Sequence, residues 1–227
     1  MPNYVTNKVS APSHVVASML NTEGQIDFDA VVPWTGCRPC PGEGLSCLAE
    51  HIAKNLPSYL AFNNLTDEVR RSPLVKNLDE ESVVDLILSV QRMAEDRRST
   101  GYLHDMDFAR DKWGTKWNAF ESLADVPLGV AQFKTAWSMP DAFFLALSKM
   151  FPRDRICVQY ADEHLGQNCG RVVYSGGKKV FSRSSAFNSD PVDGHASWYS
   201  FAHEVQGSVC DLDEDDEACP ICIGASQ

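Results

Sequence analysis

The sequence predicts an α+β protein in which an antiparallel sheet carries helices on one face. Three observations point there. Hydrophobic residues make up 44% of the chain and charged residues 22%, ordinary globular usage that excludes a disordered or fibrous chain. Short runs with apolar residues at every second position recur near both ends. Between and after them lie runs with the three-to-four residue spacing of helices facing a core.

Taking the elements in order, Val5, Val9 and Ala11 fall on one side of an extended segment over residues 4–11, and Pro12-Ser13 then opens a short helix, HVVASML. The run QIDFDAVV alternates Ile26, Phe28 and Ala30 against Asp27 and Asp29, which predicts a half-buried strand ended by Pro33. Residues 35–110 change texture, from a Cys/Pro/Gly-rich loop to helical periodicity. Leu48, Ile52 and Leu56 stand four apart, and from Asp79 to Asp96 the residues Val83, Leu86, Ile87, Val90 and Met93 form one stripe behind an acidic first turn. In VAQFKTAW, Ala131, Phe133, Thr135 and Trp137 share one face of a strand. Ser138 and Asp141 have capping-box spacing around Pro140, and Phe143, Phe144, Leu147 and Met150 follow at helical intervals. RICVQYA reads as a strand, and the Gly176-Gly177 pair in GRVVYSGGKKVFSR reads as the turn of a hairpin. A last helix carries Trp198, Phe201, Ala202 and Val205 on one side, with Gly207 placed to cap it.

The order is therefore β-α-β, a helical insertion, β-(β)-α-β, a hairpin and a helix. A split β-α-β arrangement of this kind is the ferredoxin-like plan. The expected division is a core made of residues 1–34 and 111–207, a Cys/Pro loop with the helical insertion at 35–110, and an acidic Cys-rich tail at 208–227.

The chain has 20 basic and 31 acidic residues, a formal charge of −11. Such a surplus repels a phosphate backbone, so direct nucleic-acid binding is not expected. Six of the acids fall within residues 211–217. No run reaches the roughly 18 apolar residues of a spanning helix, and MPNYVTNKVSAP lacks the charged and apolar blocks of a signal peptide. A cytoplasmic protein is expected. In that reducing compartment the eight cysteines point to metal, redox chemistry or burial before disulfides.

Several landmarks stand in a distinctive order: Met1-Pro2-Asn3, Val31-Val32-Pro33-Trp34, the WGTKWNA segment from Trp113 to Ala119, and FKTAWSMP from Phe133 to Pro140 before a helix ending in Phe151-Pro152. The pattern resembles the YubB family of phage and plasmid proteins over most of residues 1–185. The resemblance implies a ferredoxin-like core and a mobile-element origin in a bacterial host, with no assigned reaction and no catalytic residues to carry over. The cysteine pairs and the acidic tail depart from the family's pattern.

Two Cys-x-x-Cys pairs, Cys37/Cys40 and Cys219/Cys222, are the most chemically specific feature. A two-residue spacer lets both sulfurs reach one ion, and zinc favours four tetrahedral thiolates, so a structural zinc shared by the two pairs is the expected cofactor. A local alternative uses Cys37, Cys40, Cys47 and His51, and free thiols without metal are a third reading. Cys157 and Cys169 read as small core residues. The pair Cys37/Cys40 also admits thiol-disulfide exchange, although Pro41-Gly42 after the second cysteine is the wrong start for the helix that activates such a thiol.

Trp113, Lys116 and Trp117, with Trp137 nearby, could form a binding surface in which rings stack on a ligand and the ammonium neutralises it; tryptophans flanking a glycine turn serve more often as packing anchors. His164 beside Asp162 could act as an acid-base group or lie in a solvated loop. Nucleophile-elbow, phosphate-loop and zincin signatures are missing from the sequence. Asp213, Glu214, Asp215 and Asp216 read either as a solvated tail or as a negative surface for a basic groove. Together these features suggest a non-catalytic phage or plasmid protein that binds a host protein, in counter-defence or host takeover, with redox chemistry at Cys37 and Cys40 as the alternative.

Overall fold

A computed structural model describes residues 3–37, 43–55, 65–192 and 194–207. Two compact units divide the chain: residues 1–33 with 109–227, and residues 34–108.

The first unit is built on a six-stranded sheet of β1 (Tyr4–Ser10), β2 (Phe120–Asp125), β3 (Val130–Ala136), β4 (Ile156–Asp162), β5 (Cys169–Ser175) and β6 (Lys178–Ser184), in the order β2-β3-β1-β4-β5-β6. Every neighbouring pair is antiparallel, and β1 is clasped between β3 and β4. With the helices α1 (Ser13–Ser18) and α6 (Asp141–Met150) in the two crossovers, β1-α1-β2 and β3-α6-β4 are the interlocked halves of a ferredoxin-like domain. The β5–β6 hairpin extends the sheet, and its turn glycines, Gly176 and Gly177, have φ of 57° and 74°, as a two-residue hairpin turn requires.

Alternation along the strands decides what each face buries. Val5, Val9, Phe133, Val158 and Tyr174 point to one side and pack with Val15, Val16, Phe143 and Phe144 of the two helices, around the fully buried Phe28. Ala161 and Cys169 point to the other, where α7 (Trp198–Gln206) buries Trp198, Phe201, Ala202 and Val205 against them. Helices on one face is thus the arrangement of α1 and α6, while α7 covers part of the second face.

Two local expectations are overturned. Residues 25–32 are not a strand: Leu20 and Ile26 form a single bridge, and Phe28–Ala30 is a 3₁₀ turn. The Asp27 carboxylate accepts the Asp29 N–H at 2.9 Å and the Asn118 amide at 2.6 Å, and this capping outcompetes the extended alternative. Ile26 and Phe28 are still buried, whereas Ala30 is exposed. Ser138 does not cap α6 either; its Oγ donates to the Gly114 carbonyl at 2.6 Å, and Pro140 stands at the N-cap without a side-chain bond.

The second unit holds α2 (Glu43–Asn55), α3 (Leu65–Arg71), α4 (Glu80–Thr100) and α5 (Asp105–Phe108). The stripe Val83, Leu86, Ile87, Val90 and Met93 of α4 is buried with Ile52 and Val69. Asp79 caps α4 by accepting the Ser82 N–H at 2.7 Å, and Gly101 ends it in the left-handed conformation. The short helix α3 has no sequence stripe that announces it.

Candidate functional site

Where β3 ends, three segments of the first unit surround a cleft of about 240 Å³: Arg110 from the π-helical turn Ala109–Trp113, Gly114-Thr115-Lys116 after it, and Ala136-Trp137-Ser138. These are the WGTKW and TAWS segments. Their backbones are tied side chain to carbonyl. Thr115 Oγ1 donates to the Ala136 carbonyl at 2.8 Å, and the Ser138 bond to Gly114 runs the opposite way. Gly114 has φ of 83°, and a Cβ there would lie 3.1 Å from the Asp141 and Ala142 nitrogens, so glycine lets this loop approach the first turn of α6.

The tryptophans have separate duties. Trp113 is 3% exposed, packs edge-on against Phe28 and donates its indole N–H to the Val32 carbonyl at 2.9 Å. It is a packing anchor and presents no ring to a ligand. Trp117 is half-buried with the Lys116 ammonium 4.8 Å from its ring centroid. Trp137, which the alternation of β3 assigns to the core face, is instead 52% exposed because its φ of 69° turns the chain out of the strand.

A bulky residue in the left-handed region is strained by about 1–3 kcal/mol and persists only where its surroundings over-determine it. Here the Trp137 N–H donates to the Asn3 carbonyl at 2.8 Å, and Asn168 Nδ2 donates to the Trp137 carbonyl at 3.3 Å. Asn168, itself at φ of 42°, also donates to Asp162 Oδ2 at 3.0 Å, and Asn3 reaches Asp162 Oδ1 at 3.4 Å. Asp162 is buried at the end of β4 and also accepts the backbone N–H of His164. The His164 ring lies 3.2 Å from the same oxygen, with its side chain largely in solvent. Asp162 thus organises the loops that display Trp137. These partners are distant in sequence, and only the juxtaposition of Asp162 with His164 was visible there.

Of the expected zinc ligands, Cys37 is exposed, its N–H donating to buried Asp96 at 2.8 Å. Asp96 raises the Cys37 thiol pKa above its ordinary value, chiefly through its charge and then through burial. Cys40, Cys219 and Cys222 lie outside the described residues, as do Asp213, Glu214, Asp215 and Asp216. Cys47 and His51 are both exposed on α2. Cys169 is buried beneath α7, which pushes its thiol up, and Cys157 is half-buried.

Among the described residues, one group has metal-like composition: Glu50, His104 and Asp107, with donor atoms within 4.8 Å of one another. His104 Nε2 is 3.9 Å from Glu50 and 3.5 Å from Asp107, spacings that ligands of a first-row cation adopt. The ring's other nitrogen decides the matter. The Asp107 N–H donates to Nδ1 at 3.2 Å, so the neutral ring carries its proton on Nε2 and offers the carboxylates an N–H, not a lone pair. A metal-bound histidine does the reverse, donating from its second nitrogen. The cluster is a polar clasp between α2 and α5, held at ion-pair distance.

The fold and the cleft together define a ferredoxin-like α+β domain with a displayed tryptophan. Residues 112–202 match the family model described as the ferredoxin-like domain in Api92-like protein. Among solved structures, the chain is similar to protein api92 from Yersinia pseudotuberculosis, at 12% identity and a TM-score of 0.34, over 84% of this chain and 100% of that one. No curated protein matches the chain. Among the described residues, no helix is long and apolar enough to cross a membrane.

Proposed function

We propose that this is a non-catalytic accessory protein of a phage or plasmid that binds a protein of its bacterial host, in counter-defence or host takeover, and that the Trp137 cleft is its principal contact. The observation that carries this reading is the exposed indole held in a strained backbone by Asn3 and Asn168. Strain of this kind is retained at functional sites, and tryptophan and arginine are the side chains that most often dominate binding energy at interfaces. Arg110 and Lys116 on the rim add positive charge. A host-protein segment with an acidic group beside an apolar side chain would satisfy both parts of the cleft. The mobile-element origin rests on the resemblance of the WGTKW and TAWS segments. A structural zinc at Cys37, Cys40, Cys219 and Cys222 belongs to the proposal on sequence spacing alone, and the acidic residues 213–216 would steer a basic partner toward the chain.

Thiol-disulfide exchange at Cys37 and Cys40 is the less favoured reading, because the carboxylate of Asp96 opposes thiolate formation at Cys37.

The test is differential capture from bacterial lysate with the full chain and with Trp137→Gly, Lys116→Gln and the double variant. A partner retained by the wild-type chain and lost from the variants at unchanged melting temperature supports the reading. A partner retained equally by all of them removes the cleft from it.

A further inference from the structure

The hydrogen bonds around the Trp137 cleft fix the sign of what it can hold. Four of its carbonyls already accept a bond from the protein: Gly114 from Ser138 Oγ, Ala136 from Thr115 Oγ1, Trp137 from Asn168 Nδ2 and Ser138 from Thr135 Oγ1. The negative ends of these peptide groups are thereby occupied, and the hydroxyl protons of Thr115 and Ser138 are spent in the same bonds. No carboxylate lines the cleft. What remains on its walls is positive. The Lys116 ammonium rests 4.8 Å from the Trp117 ring centroid with no carboxylate beside it among the described residues, and Arg110 stands on the same rim. The backbone N–H groups of Thr115 and Lys116 bond to no other described residue.

Size narrows the anion further. A volume of about 240 Å³ is below the roughly 300–1,000 Å³ of small-molecule pockets and leaves room for one residue-sized group. In an extended or helical segment, an internal acid and an apolar neighbour on the same face stand about 5–7 Å apart, too far to enter so small a cleft together. A C-terminal residue differs, because its carboxylate and its side chain leave the same Cα. We infer that the cleft captures the C-terminal residue of its partner, with the carboxylate at Lys116 and the Thr115 and Lys116 N–H groups and an apolar side chain against the Trp137 indole. Backbone N–H groups take terminal carboxylates in other recognition sites. The formal charge of −11 opposes a polyanion such as nucleic acid far more than it opposes one carboxylate. This inference rests on the binding reading of the cleft and adds the chemical class of the ligand.

The test varies the probe and leaves the fold of the protein alone. The full chain, labelled with nitrogen-15, is titrated with N-acetyl-Gly-Gly-Gly-Phe bearing a free carboxyl terminus, with the same peptide amidated, with an amidated peptide carrying an internal Asp-Phe, and with inorganic phosphate. The indole N–H resonance of Trp137, assigned with Trp137→Gly, and the amide resonances of Thr115 and Lys116 should move with the free-carboxyl peptide. Its Kd should be at least about tenfold below that of either amidated peptide, the factor that charge-assisted hydrogen bonds supply. Lys116→Gln should weaken it by up to about fivefold. An amidated peptide that binds equally well, phosphate that moves the same resonances as far at equal concentration, or resonances that ignore every probe would each overturn the inference. The binding reading fails separately, when no lysate partner is lost from Trp137→Gly. A partner that is lost from that variant, yet is captured equally after its own C-terminus is extended by two glycines, keeps the binding reading and rejects terminal capture.

Discussion

The phenol of Tyr174 on β5 donates a 2.5 Å hydrogen bond to the carboxylate of Asp141, the first residue of α6. Tyr174 is completely buried, and Lys179 of β6 holds the same Asp141 oxygen at 2.8 Å. The contact fastens the crossover helix to the sheet at the end where α6 begins, beside the Gly114 loop of the cleft. Burial, and then the bond to Asp141, push the phenol far above its ordinary value.

From that direction follows an alkaline weakness. The unfolded chain releases the Tyr174 proton near pH 10, whereas the folded chain keeps it. The stabilisation is complete below about pH 10 and is lost as pH rises further, because only the unfolded state gives up the proton. Tyr174→Phe should therefore cost about 0.5–1.5 kcal/mol at pH 7 and should flatten the fall in stability above pH 10. Denaturant titrations at pH 7 and 11 measure both, and an equally steep alkaline loss in the variant would show that another group is responsible.

Trp113 and Trp137 should respond oppositely to truncation. Trp113→Ala removes a buried ring and its hydrogen bond to Val32, at a cost of about 3–5 kcal/mol. Trp137→Gly removes an exposed ring and relieves a left-handed backbone that glycine adopts freely, so the melting temperature should hold or rise slightly. Thermal unfolding of the two variants separates anchor from display. A large loss from Trp137→Gly would mean that its ring supports the fold.

The elements that the sequence disclosed are those whose signal is local. The α4 stripe, the Gly176-Gly177 hairpin and the apolar face of α7 each depend on spacing within one segment, and each stands in the structure. Residues 25–32 misled because the alternation of Ile26 and Phe28 reports burial, which is correct, while the conformation is set by the bond from Asn118 to Asp27, across 91 positions. Trp137 misled for the same reason. Its place in the period-two pattern points inward, and only Asn3 and Asn168, brought close by β1 and β5, turn it outward. The clasp of Glu50, His104 and Asp107 was equally invisible, since Glu50 belongs to a different helix from Asp107.

Metal content distinguishes the proposed thiolate site from that clasp. About one zinc per chain is expected, lost on Cys37→Ser together with a drop in melting temperature, because metal binding contributes to folding free energy. Glu50→Gln should leave the zinc content unchanged. Elemental analysis of the purified variants checks this, and zinc that survives Cys37→Ser but disappears with Glu50→Gln would move the site to the clasp.

The environment of Cys37 makes a prediction about reactivity that bears on the redox alternative. Alkylation proceeds through the thiolate, so its rate reports the fraction ionised at each pH. The Asp96 carboxylate faces the Cys37 backbone N–H and raises the thiol's pKa mainly by its charge, with burial second. Asp96→Asn retains an oxygen that can accept the same N–H while removing the charge. In chelator-treated protein, the iodoacetamide rate profile of Cys37 should therefore shift to lower pH in Asp96→Asn. The wild-type thiol should react more slowly at pH 7 than a free cysteine, whose pKa is about 8.5. Mass spectrometry of the Cys37 peptide follows this residue apart from Cys47, Cys157 and Cys169. A wild-type Cys37 alkylated faster than free cysteine at pH 7 would indicate an activated thiol, and the thiol-disulfide reading would then displace the binding one.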